Sequence, residues 1–409
     1  MIKYDVIVIG AGPSGMMSAG ILSKRGKNVL IIEKNEKVGR KLAITGKGRC
    51  NVTNKCTTDE FIKNVTRNNK FLYSSINNFN SDDTIEFFES MGVKLKIERG
   101  NRVFPESDNA YDIVDALKKH IKRCKLIRGR VSKLIINEGN VNGVQLDNNR
   151  TYMASKVIIA CGGKSYPGTG SNGDGYMLAT QANHSITKLK GSLVPLVSSD
   201  EWIKELQGLS LKNVSIEVKD VNNKTIYKDF GELIFTHFGL SGPIILSAST
   251  HMSFDDNNNG YIVKIDLKPS LTIEQLNNRI LRDFEKFYNK DFINALSELL
   301  PKKIIPVIVK LSSIEAHKKC NQITREERNN FIGLIKDFKV NICDLRPISE
   351  AIITSGGVNV SEINPRTMES KITKGLYFVG EVIDVDAYTG GFNLQIAFST
   401  AHQCGMSID

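Results

Sequence analysis

The sequence has no pair of cysteines spaced as Cys-x-x-Cys, although it contains seven cysteines in 409 residues. Disulfide reductases carry a closely spaced redox pair beside their cofactor, and structural zinc sites need clustered ligands. The nearest pair, Cys50 and Cys56, flanks a loop rich in Asn and Thr and is a poor candidate for either role. We therefore expect free thiols in a reducing compartment, no metal site and no disulfide-based chemistry.

Long apolar segments are also absent. No apolar run reaches the ~20 residues that a membrane-spanning helix needs. The chain begins directly with an apolar strand pattern, without the charged and apolar regions of a signal peptide. Because 41% of the residues are hydrophobic and 24% are charged, the composition is that of a globular protein. We expect a cytoplasmic protein without a membrane partner.

The chain does not balance its charges, because 55 Lys and Arg residues face 44 Asp and Glu residues and give a net charge of +11. A positive charge can indicate a polyanionic partner. The cations are, however, spread along the chain and interleaved with acids, and the cluster at residues 118–123 fits the solvated face of a helix. We therefore expect a lysine-rich surface around a dianionic cofactor, and no nucleic-acid partner.

Residues 4–33 predict a strand, a glycine turn, a helix and a second strand without a gap. Residues 4–9 are rich in β-branched side chains, as in a strand buried on both faces of a parallel sheet. In the following turn, Gly10 permits a tight bend, Gly12 lets a phosphate approach the backbone and Gly15 lets the helix pack closely on the sheet. The helix N-terminus then offers N–H groups and a positive dipole end to a diphosphate.

The second strand ends at Glu33, about 20 residues after the turn, where a carboxylate can accept hydrogen bonds from both hydroxyls of an adenosine ribose. Like-charge repulsion at this position disfavours a 2′-phosphate. A GxGxxG motif alone is weak evidence for a function. Here strand, helix, second strand and terminal acid all agree, so the sequence predicts a dinucleotide-binding site.

Residues 168–173 also match the GxGxxG pattern. The strand before them ends several residues earlier, near Cys161, and no second strand with a terminal acid follows at the required distance. We therefore predict no second dinucleotide-binding domain. This loop and a helix at residues 176–182 are expected to close or support the first site.

A basic loop punctuated by glycines follows Glu33, over residues 38–54. Its glycine content and polar density favour close approach of the backbone to a ligand. Arg40, Lys41 and Arg49 could neutralise a diphosphate or lie near an electron-rich edge of the cofactor ring. The alternative is a solvated basic loop without a ligand.

The C-terminal part returns to the pattern of a parallel sheet. A strand at residues 376–381 ends in Gly380 and Glu381, and an acid there can hold a ribityl hydroxyl. The last helix begins after Gly391, so its N-terminus can stabilise negative charge at the N1/O2 edge of a reduced isoalloxazine. A C-terminal strand and helix that complete the site of the first βαβ unit are expected of FAD proteins and not of a plain NAD domain. FAD is therefore the predicted cofactor.

Between these parts, residues 191–268 show short alternating runs that predict an antiparallel sheet or small barrel inserted in the first domain. Residues 271–338 follow as a helical block. His237, in the inserted β region, is a candidate proton donor because its unshifted pKa lies near neutrality. A lone histidine is more often structural.

Five stretches together resemble the bacterial BaiN-type or aminoacetone-oxidase-like FAD-dependent oxidoreductases. They are residues 10–15 with Glu33, 39–54, 102–105, 235–243 and 380–395, and the segment TGKGRCN at residues 45–51 is highly specific. Residues 173–177 and 375–381 are more distantly similar to flavoprotein subunits of fumarate reductase and aspartate oxidase. Their catalytic Arg and His motifs are not recognisable here, so no fumarate chemistry is carried over.

The resemblance implies an α/β fold in three parts. These are a discontinuous Rossmann-like FAD-binding domain (residues 1–190 and 356–409), an inserted antiparallel β-barrel-like domain (191–268 and 340–355) and a nested helical domain (269–339). Members of the family are associated with reduction of conjugated enones or oxidation of small amines.

We predict an FAD-dependent oxidoreductase of small organic substrates, with hydride transfer through flavin N5. It is expected to be an NAD(P)H-linked reductase of a conjugated enone-type substrate or an oxidase of a small amine. A flavoprotein that acts on RNA, by tRNA modification, and a non-catalytic flavin redox sensor stay open as alternatives. The catalytic candidates are His237 and Tyr388. The predicted cofactor-binding residues are Gly10, Gly12, Pro13, Ser14, Gly15, Glu33, Lys34, Arg40, Lys41, Gly48, Arg49, Cys50, Asn51, Val131, Ala160, Gly162, Gly163, Gly380, Glu381, Gly391, Phe392, Asn393 and Leu394. The sequence does not indicate an oligomeric state.

Overall fold

The computed structural model describes residues 3–254 and 260–409. The chain forms two compact units, of which unit 1 comprises Met1–Ser192 and Ile348–Asp409 and unit 2 comprises Leu193–Pro347. Each unit has its own hydrophobic core.

The N-terminal part of unit 1 alternates strands and helices, because apolar β-branched runs are separated by turns and by amphipathic segments. Its elements are β1 (Lys3–Ile9), α1 (Pro13–Lys24), β2 (Val29–Glu33), α2 (Arg40–Ile44), β3 (Thr53–Asn54), α3 (Thr58–Lys63), β4 (Val65–Arg67), α4 (Tyr73–Asn78), α5 (Ser81–Ser90), β5 (Leu95–Glu98), β6 (Arg102–Pro105), α6 (Ala110–His120), β7 (Lys125–Arg128), β8 (Val131–Asn137), β9 (Asn140–Leu146), β10 (Thr151–Ile159), α7 (Asp174–Gln181) and β11 (Lys190–Ser192).

Unit 2 is one continuous segment. Its elements are β12 (Leu196–Ser198), β13 (Ser210–Asp220), β14 (Thr225–Phe235), β15 (Gly239–Ser241), α8 (Pro243–Ser249), β16 (Tyr261–Asp266), α9 (Ile273–Lys286), α10 (Phe292–Ala295), α11 (Ile305–Ser312), α12 (Arg325–Lys336) and β17 (Phe338–Leu345).

Unit 1 is completed by the C-terminal part of the chain. Its elements there are β18 (Ile353–Ser355), β19 (Leu376–Phe378), β20 (Asp386–Ala387) and α13 (Phe392–Ser407).

The central sheet of unit 1 has the order β7-β2-β1-β10-β9-β8, with β19 also paired to β10. The strands β7, β2, β1, β10 and β19 are parallel, whereas β8 and β9 form an antiparallel hairpin that continues into β10. This order places the C-terminal strand β19 in the same sheet as β1, although they are separated by almost the whole chain. The predicted return of the C-terminus to the first βαβ unit is therefore observed.

In unit 2, six strands close into a barrel in the order β12-β15-β14-β13-β16-β17. The helices α9, α11 and α12 bury apolar residues in the same core as the barrel strands. Leu276 of α9 and Phe331 of α12, for example, share this core with Phe338 of strand β17. Phe338, which the sequence analysis placed at the end of a helix, begins strand β17 instead, because alternation in β17 buries every second side chain.

The chain returns to unit 1 earlier than the sequence analysis proposed. Residues 348–355, which it assigned to the inserted β region, lie in unit 1, because β18 pairs antiparallel with β11. The structure divides into two compact units and not three, because the helices and the barrel share one hydrophobic core. The division of unit 2 into a barrel domain and a helical domain stays a prediction.

Candidate functional site

The glycine turn after β1 has the geometry of a phosphate-binding turn. Gly10 has φ +102° and a Cβ there would lie 2.6 Å from the carbonyl oxygen of Ala160, so only glycine fits. A Cβ on Gly15 would lie 1.9 Å from the Gly10 carbonyl oxygen, whereas a Cβ on Gly12 would meet nothing within 4 Å. The turn leads into α1 at Pro13 and Ser14, and no side chain caps the helix. The N-terminus of α1, which no side chain caps, therefore lies next to the open space at Gly12.

Glu33 ends β2 beside this turn. One carboxylate oxygen accepts from the backbone N–H of Ala11 at 2.8 Å, and the other accepts from the backbone and side chain of Asn35, both at 2.8 Å. The side chain of Glu33 is buried. These contacts fix the acid at the carboxyl edge of the sheet, next to the turn that would hold a diphosphate.

Lys34 does not point to the glycine turn but belongs to an ion cluster. Its ammonium donates to Asn172 at 2.6 Å and to Asp174 at 2.7 Å, and Arg130 also binds Asp174 at 2.7 Å. Burial alone would raise the pKa of Asp174, but the hydrogen bonds from Arg130 and Lys34 outweigh it and lower that pKa. The second GxGxxG loop is thereby attached to the end of β2.

The basic loop contacts both ends of the candidate site. The N–H of Gly39 donates to the Ala11 carbonyl in the glycine turn at 2.9 Å. At its other end, the side-chain amide of Asn54 donates to the carbonyl of Gly390 at 3.1 Å, just before α13. The loop therefore connects the proposed diphosphate end to the proposed ring end of the site.

Lys41 and Glu381, which were both predicted to contact the cofactor, bind each other. The Lys41 ammonium lies 2.7 Å from one carboxylate oxygen of Glu381 and 2.9 Å from the other. Ser165 donates to Glu381 at 3.1 Å, and the backbone N–H of Thr354 donates at 2.9 Å. Cβ atoms on Gly162 and Gly163 would lie 3.8 and 2.9 Å from this carboxylate. The structure thus brings these predicted residues into one cluster.

The remaining residues of the basic loop are held by their own neighbours. Arg49 forms ion pairs with Glu98 and Asp108, and these hydrogen bonds raise its pKa further. Burial raises the pKa of the Cys50 thiol to about 12, so this cysteine is an inert core residue. The side-chain oxygen of Asn51 is buried and has no hydrogen-bond partner within the described part of the chain. Arg40 is exposed and donates to Asn35 at 3.1 Å, and Gly48 has φ +85°.

The start of α13 is packed against the end of the basic loop. Gly391 has φ +101°, and a Cβ there would lie 2.4 Å from backbone atoms of Thr53. Asn393 accepts from the N–H of Ala387 at 3.0 Å and donates to its carbonyl at 2.8 Å. Its side chain therefore holds the preceding loop. Phe392 is buried, and its ring packs edge-to-face on Phe61 at 5.3 Å.

The other predicted contacts lie along the sheet edge. The N–H of Ala160 donates to the carbonyl of Ile9 at 2.9 Å, directly beside the glycine turn. Val131 is buried at the start of β8, and Leu394 is half-buried on α13. A Cβ on Gly380 would lie 2.6 Å from the hydroxyl of Ser14. Gly380 thus joins the C-terminal strand to the start of α1.

The two catalytic candidates lie in different units. Tyr388 is half-buried between β20 and α13, and its N–H donates to the carbonyl of Asn64 at 3.0 Å. His237 is exposed in unit 2, in the turn between β14 and β15, where its ring packs on Phe238 at 4.9 Å. Their roles in proton transfer stay predictions.

Sequence analysis missed a buried carboxyl group just before Tyr388. Asp386 in β20 accepts from the hydroxyl of Ser192 at 2.9 Å and lies 3.4 Å from that of Ser355. Burial raises its pKa, although hydrogen bonds and the nearby Lys190 and Arg67 oppose this. The sequence signal was weak, because it consists only of an acid two residues before a tyrosine. Ser165 and Thr354 were missed in the same way, although each lies two residues from a glycine pair.

These features fit a dinucleotide with a flavin. The space beside Gly12 suits a diphosphate, the fixed carboxylate of Glu33 suits an adenosine ribose, and the carboxylate of Glu381 and the start of α13 lie at the other end. The unpartnered oxygen of Asn51 lies in the loop that joins the two ends.

A model of the HI0933-like protein Rossmann domain matches residues 4–407. The chain belongs to the HI0933-like family. The predicted resemblance and the α/β fold are thereby confirmed, and the chain is a flavoprotein oxidoreductase with a Rossmann-type FAD-binding fold.

Three similar proteins span almost the whole chain. The ribosomal RNA dihydrouridine synthase of Escherichia coli (strain K12) is 31% identical over 100% of this chain and 98% of the relative. The enzyme with the same name from Haemophilus influenzae is 31% identical over 98% of both chains. The 3-dehydro-bile acid delta(4,6)-reductase of Clostridium scindens is 29% identical over 97% of both.

Solved structures agree on the fold. A 3-ketosteroid delta1-dehydrogenase from Sterolibacterium denitrificans has a TM-score of 0.54 and 13% identity, covering 100% of this chain and 99% of that one. A 3-ketosteroid-delta4-(5alpha)-dehydrogenase from Rhodococcus jostii RHA1 has a TM-score of 0.53 and 14% identity, covering 99% and 96%. At this identity the likeness concerns the fold alone.

The expectation of no nucleic-acid partner is wrong, because two full-length relatives of this chain are named for action on ribosomal RNA. Cations that are dispersed along a sequence can still meet on a folded surface, so their spacing along the chain does not exclude a polyanionic partner.

No helix in residues 3–254 and 260–409 is both long enough and apolar enough to cross a bilayer.

Proposed function

We propose that this protein uses FAD to reduce a carbon–carbon double bond conjugated to a carbonyl group, and that its substrate is a uridine of ribosomal RNA. The observation that carries the proposal is the 31% identity to two ribosomal RNA dihydrouridine synthases over essentially the full length of each chain. The net charge of +11 supports a polyanionic substrate.

The chemistry is shared by the relatives. In uridine the C5=C6 bond is conjugated to the C4 carbonyl, as the double bonds of a steroid enone are conjugated to a ketone. Reduction adds a hydride to the carbon remote from the carbonyl and a proton to the carbon next to it. FAD, once bound and reduced, would supply the hydride, and we propose reduced nicotinamide as the source of its two electrons.

The chain supplies binding, orientation and the proton. The glycine turn and Glu33 bind the diphosphate and the adenosine ribose, and Lys41 with Glu381 holds the ribityl chain. The N-terminus of α13 stabilises negative charge on the ring. Tyr388 and the buried acid Asp386 are the proton-donor candidates in unit 1.

A direct assay tests the proposal. Purified holoprotein is incubated anaerobically with NADH or NADPH and with ribosomal RNA transcribed in vitro, which contains no dihydrouridine. We expect nucleoside mass spectrometry to show uridine converted to a species heavier by two hydrogens at a defined position. Absence of this product with both nicotinamides, from protein that retains FAD, would contradict the assignment to RNA.

Reduction of a free conjugated enone is the second candidate. It is favoured by the 29% identity, over 97% of both chains, to a bile acid delta(4,6)-reductase. The same holoprotein is therefore mixed with a steroid 4-en-3-one. Reoxidation of the reduced flavin by the steroid and not by RNA would favour this second function.

A further inference from the structure

Three exposed cations lie on two segments that Asn54 links to the start of α13. Lys47 lies in the basic loop, and Arg99 and Arg102 lie on the hairpin between β5 and β6. The amide of Asn54 connects that hairpin to the site, because it donates to the carbonyl of Gly100 at 3.0 Å and to that of Gly390 at 3.1 Å. We name Lys47, Arg99 and Arg102 the basic rim.

Two of the three acids near the basic rim, Glu98 and Asp108, are paired with other cations. Glu98 and Asp108 both bind Arg49 and both bind Lys96, with Lys96 2.9 Å from Asp108 and 3.7 Å from Glu98. In the described part of the chain no ion pair involves a residue of the basic rim. The segments 45–51 and 94–108 together carry six cations and three acids, so positive charge is concentrated where the loop meets the site.

The backbone at Lys47 has a conformation that favours glycine. Lys47 has φ +60° and ψ +39°, a left-handed conformation between Gly46 and Gly48. For a residue with a Cβ this conformation is strained, and strained residues of this kind cluster at functional sites. A glycine would relieve the strain, so substitution at this position can separate the charge of the lysine from its effect on the backbone.

We propose that the basic rim binds phosphates of the single-stranded ribosomal RNA segment that presents the target uridine to the flavin. This inference rests on the proposed function and names the surface that its RNA would contact. A uridine must leave the base stack to be reduced. Proteins bind such unstacked RNA through contacts to its backbone phosphates and by stacking guanidinium planes on its bases. Two of the three cations are arginines, which bind phosphates bidentately.

The test compares two triple variants of the holoprotein. One is Lys47→Gln, Arg99→Gln, Arg102→Gln. The matched control is Lys119→Gln, Lys122→Gln, Arg123→Gln, which removes the same charge from three exposed residues at the end of α6. Affinity for a ribosomal RNA fragment is measured over a salt series, together with FAD content and flavin reoxidation by a free enone.

We expect the rim variant to bind RNA at least about tenfold more weakly and to lose about 2 from the slope of log affinity against log salt concentration. FAD content and enone reoxidation should not change. Wild-type affinity in the rim variant, or an equal loss in the control, would overturn the inference while leaving the proposed function intact. If the wild-type protein neither binds nor modifies RNA, the proposed function itself fails.

A single substitution distinguishes a role of Lys47 in RNA binding from a role in stabilising the loop. Lys47→Gly removes the charge and the left-handed strain together, so we expect a higher melting temperature but weaker RNA binding. A lysine that only stabilises the loop would give the opposite change in melting temperature. Binding of wild-type protein to phosphatidylserine vesicles in preference to RNA would also overturn the inference.

Discussion

Gly12 and Gly15 belong to the same turn, but they are needed for different reasons. A Cβ on Gly15 would collide with the backbone of Gly10, whereas a Cβ on Gly12 would enter open space. Gly12 also has φ −81°, which any residue adopts. The fold therefore requires a glycine at position 15. At position 12 a glycine is needed only to let a ligand approach the turn.

We predict that Gly12→Val abolishes or greatly weakens FAD binding without destabilising the apoprotein. The side chain would occupy the space of the diphosphate, with an expected loss of affinity of at least about tenfold, or 1.4 kcal/mol. The measurements are FAD content after purification and the melting temperature of the apoproteins. Gly168→Val, in the second GxGxxG loop and likewise without neighbours within 4 Å of its Cβ, is the control and should retain FAD.

His120 is a buried titratable residue away from the site. It is 6% exposed, and burial, with a smaller effect of Lys24, lowers its pKa from 6.5 to about 4. Because the folded protein holds this histidine neutral, its contribution to stability is full above pH 6.5. That contribution is lost as the pH falls toward 4.

We predict that His120→Leu makes the protein less sensitive to acid. Between neutral pH and pH 4 the wild type should lose more free energy of unfolding than the variant, by on the order of 3 kcal/mol. Urea unfolding at the two pH values measures this difference. Equal losses in both proteins would show that His120 is not the residue whose protonation destabilises the fold.

At the scale of elements, α13 is fixed by buried polar contacts at its first turn. Gln395 is fully buried; it accepts from the hydroxyl of Thr53 at 2.6 Å and donates to the carbonyls of Phe79 and Asn80 at 3.1 and 2.9 Å. These contacts hold the start of the helix against β3 and against the segment before α5. Gln395 therefore helps to fix the orientation of the helix N-terminus.

We predict that Gln395→Met destabilises the protein by about 1–3 kcal/mol, because it leaves the buried hydroxyl of Thr53 without a partner. FAD affinity should fall as well. The control is Gln403→Met on the same helix, two turns further along, where the amide binds Asn78 and the carbonyl of Arg366. It should lose comparable stability but keep FAD, as measured by chemical unfolding and flavin fluorescence.

At the scale of the whole molecule, unit 2 is a single insertion with its own core. Its first and last strands are paired, with Leu196 opposite Leu345, so the two ends of the insertion lie side by side. Adjacent ends and a separate core are typical of a segment that can fold alone.

We predict that residues 193–347 expressed alone fold cooperatively and contain no FAD. Circular dichroism and thermal unfolding measure folding, and absorbance measures flavin. A chain in which a short glycine-serine linker replaces these residues should keep FAD, because the glycine turn, Glu33, Glu381 and α13 all belong to unit 1. Flavin bound by the isolated unit 2 would contradict the assignment of the site.

The sequence by itself determined the cofactor-binding βαβ unit, the family and the rejection of the second GxGxxG motif. These features depend on local spacing, on a strand that ends in glycines and on an acid at a fixed offset, and such patterns are visible without a fold. The pairing of Lys41 with Glu381, 340 residues apart, was decided only by the tertiary structure.

The same limit explains what sequence reasoning missed or misjudged. Whether Lys47, Arg99 and Arg102 lie together depends on how Asn54 ties a hairpin to the start of α13. Whether Arg49 is free depends on two acids, Glu98 and Asp108, from another part of the chain. The sequence gives only the net charge, whereas recognition depends on where unpaired charges lie in space. Only folding brings distant residues to one surface.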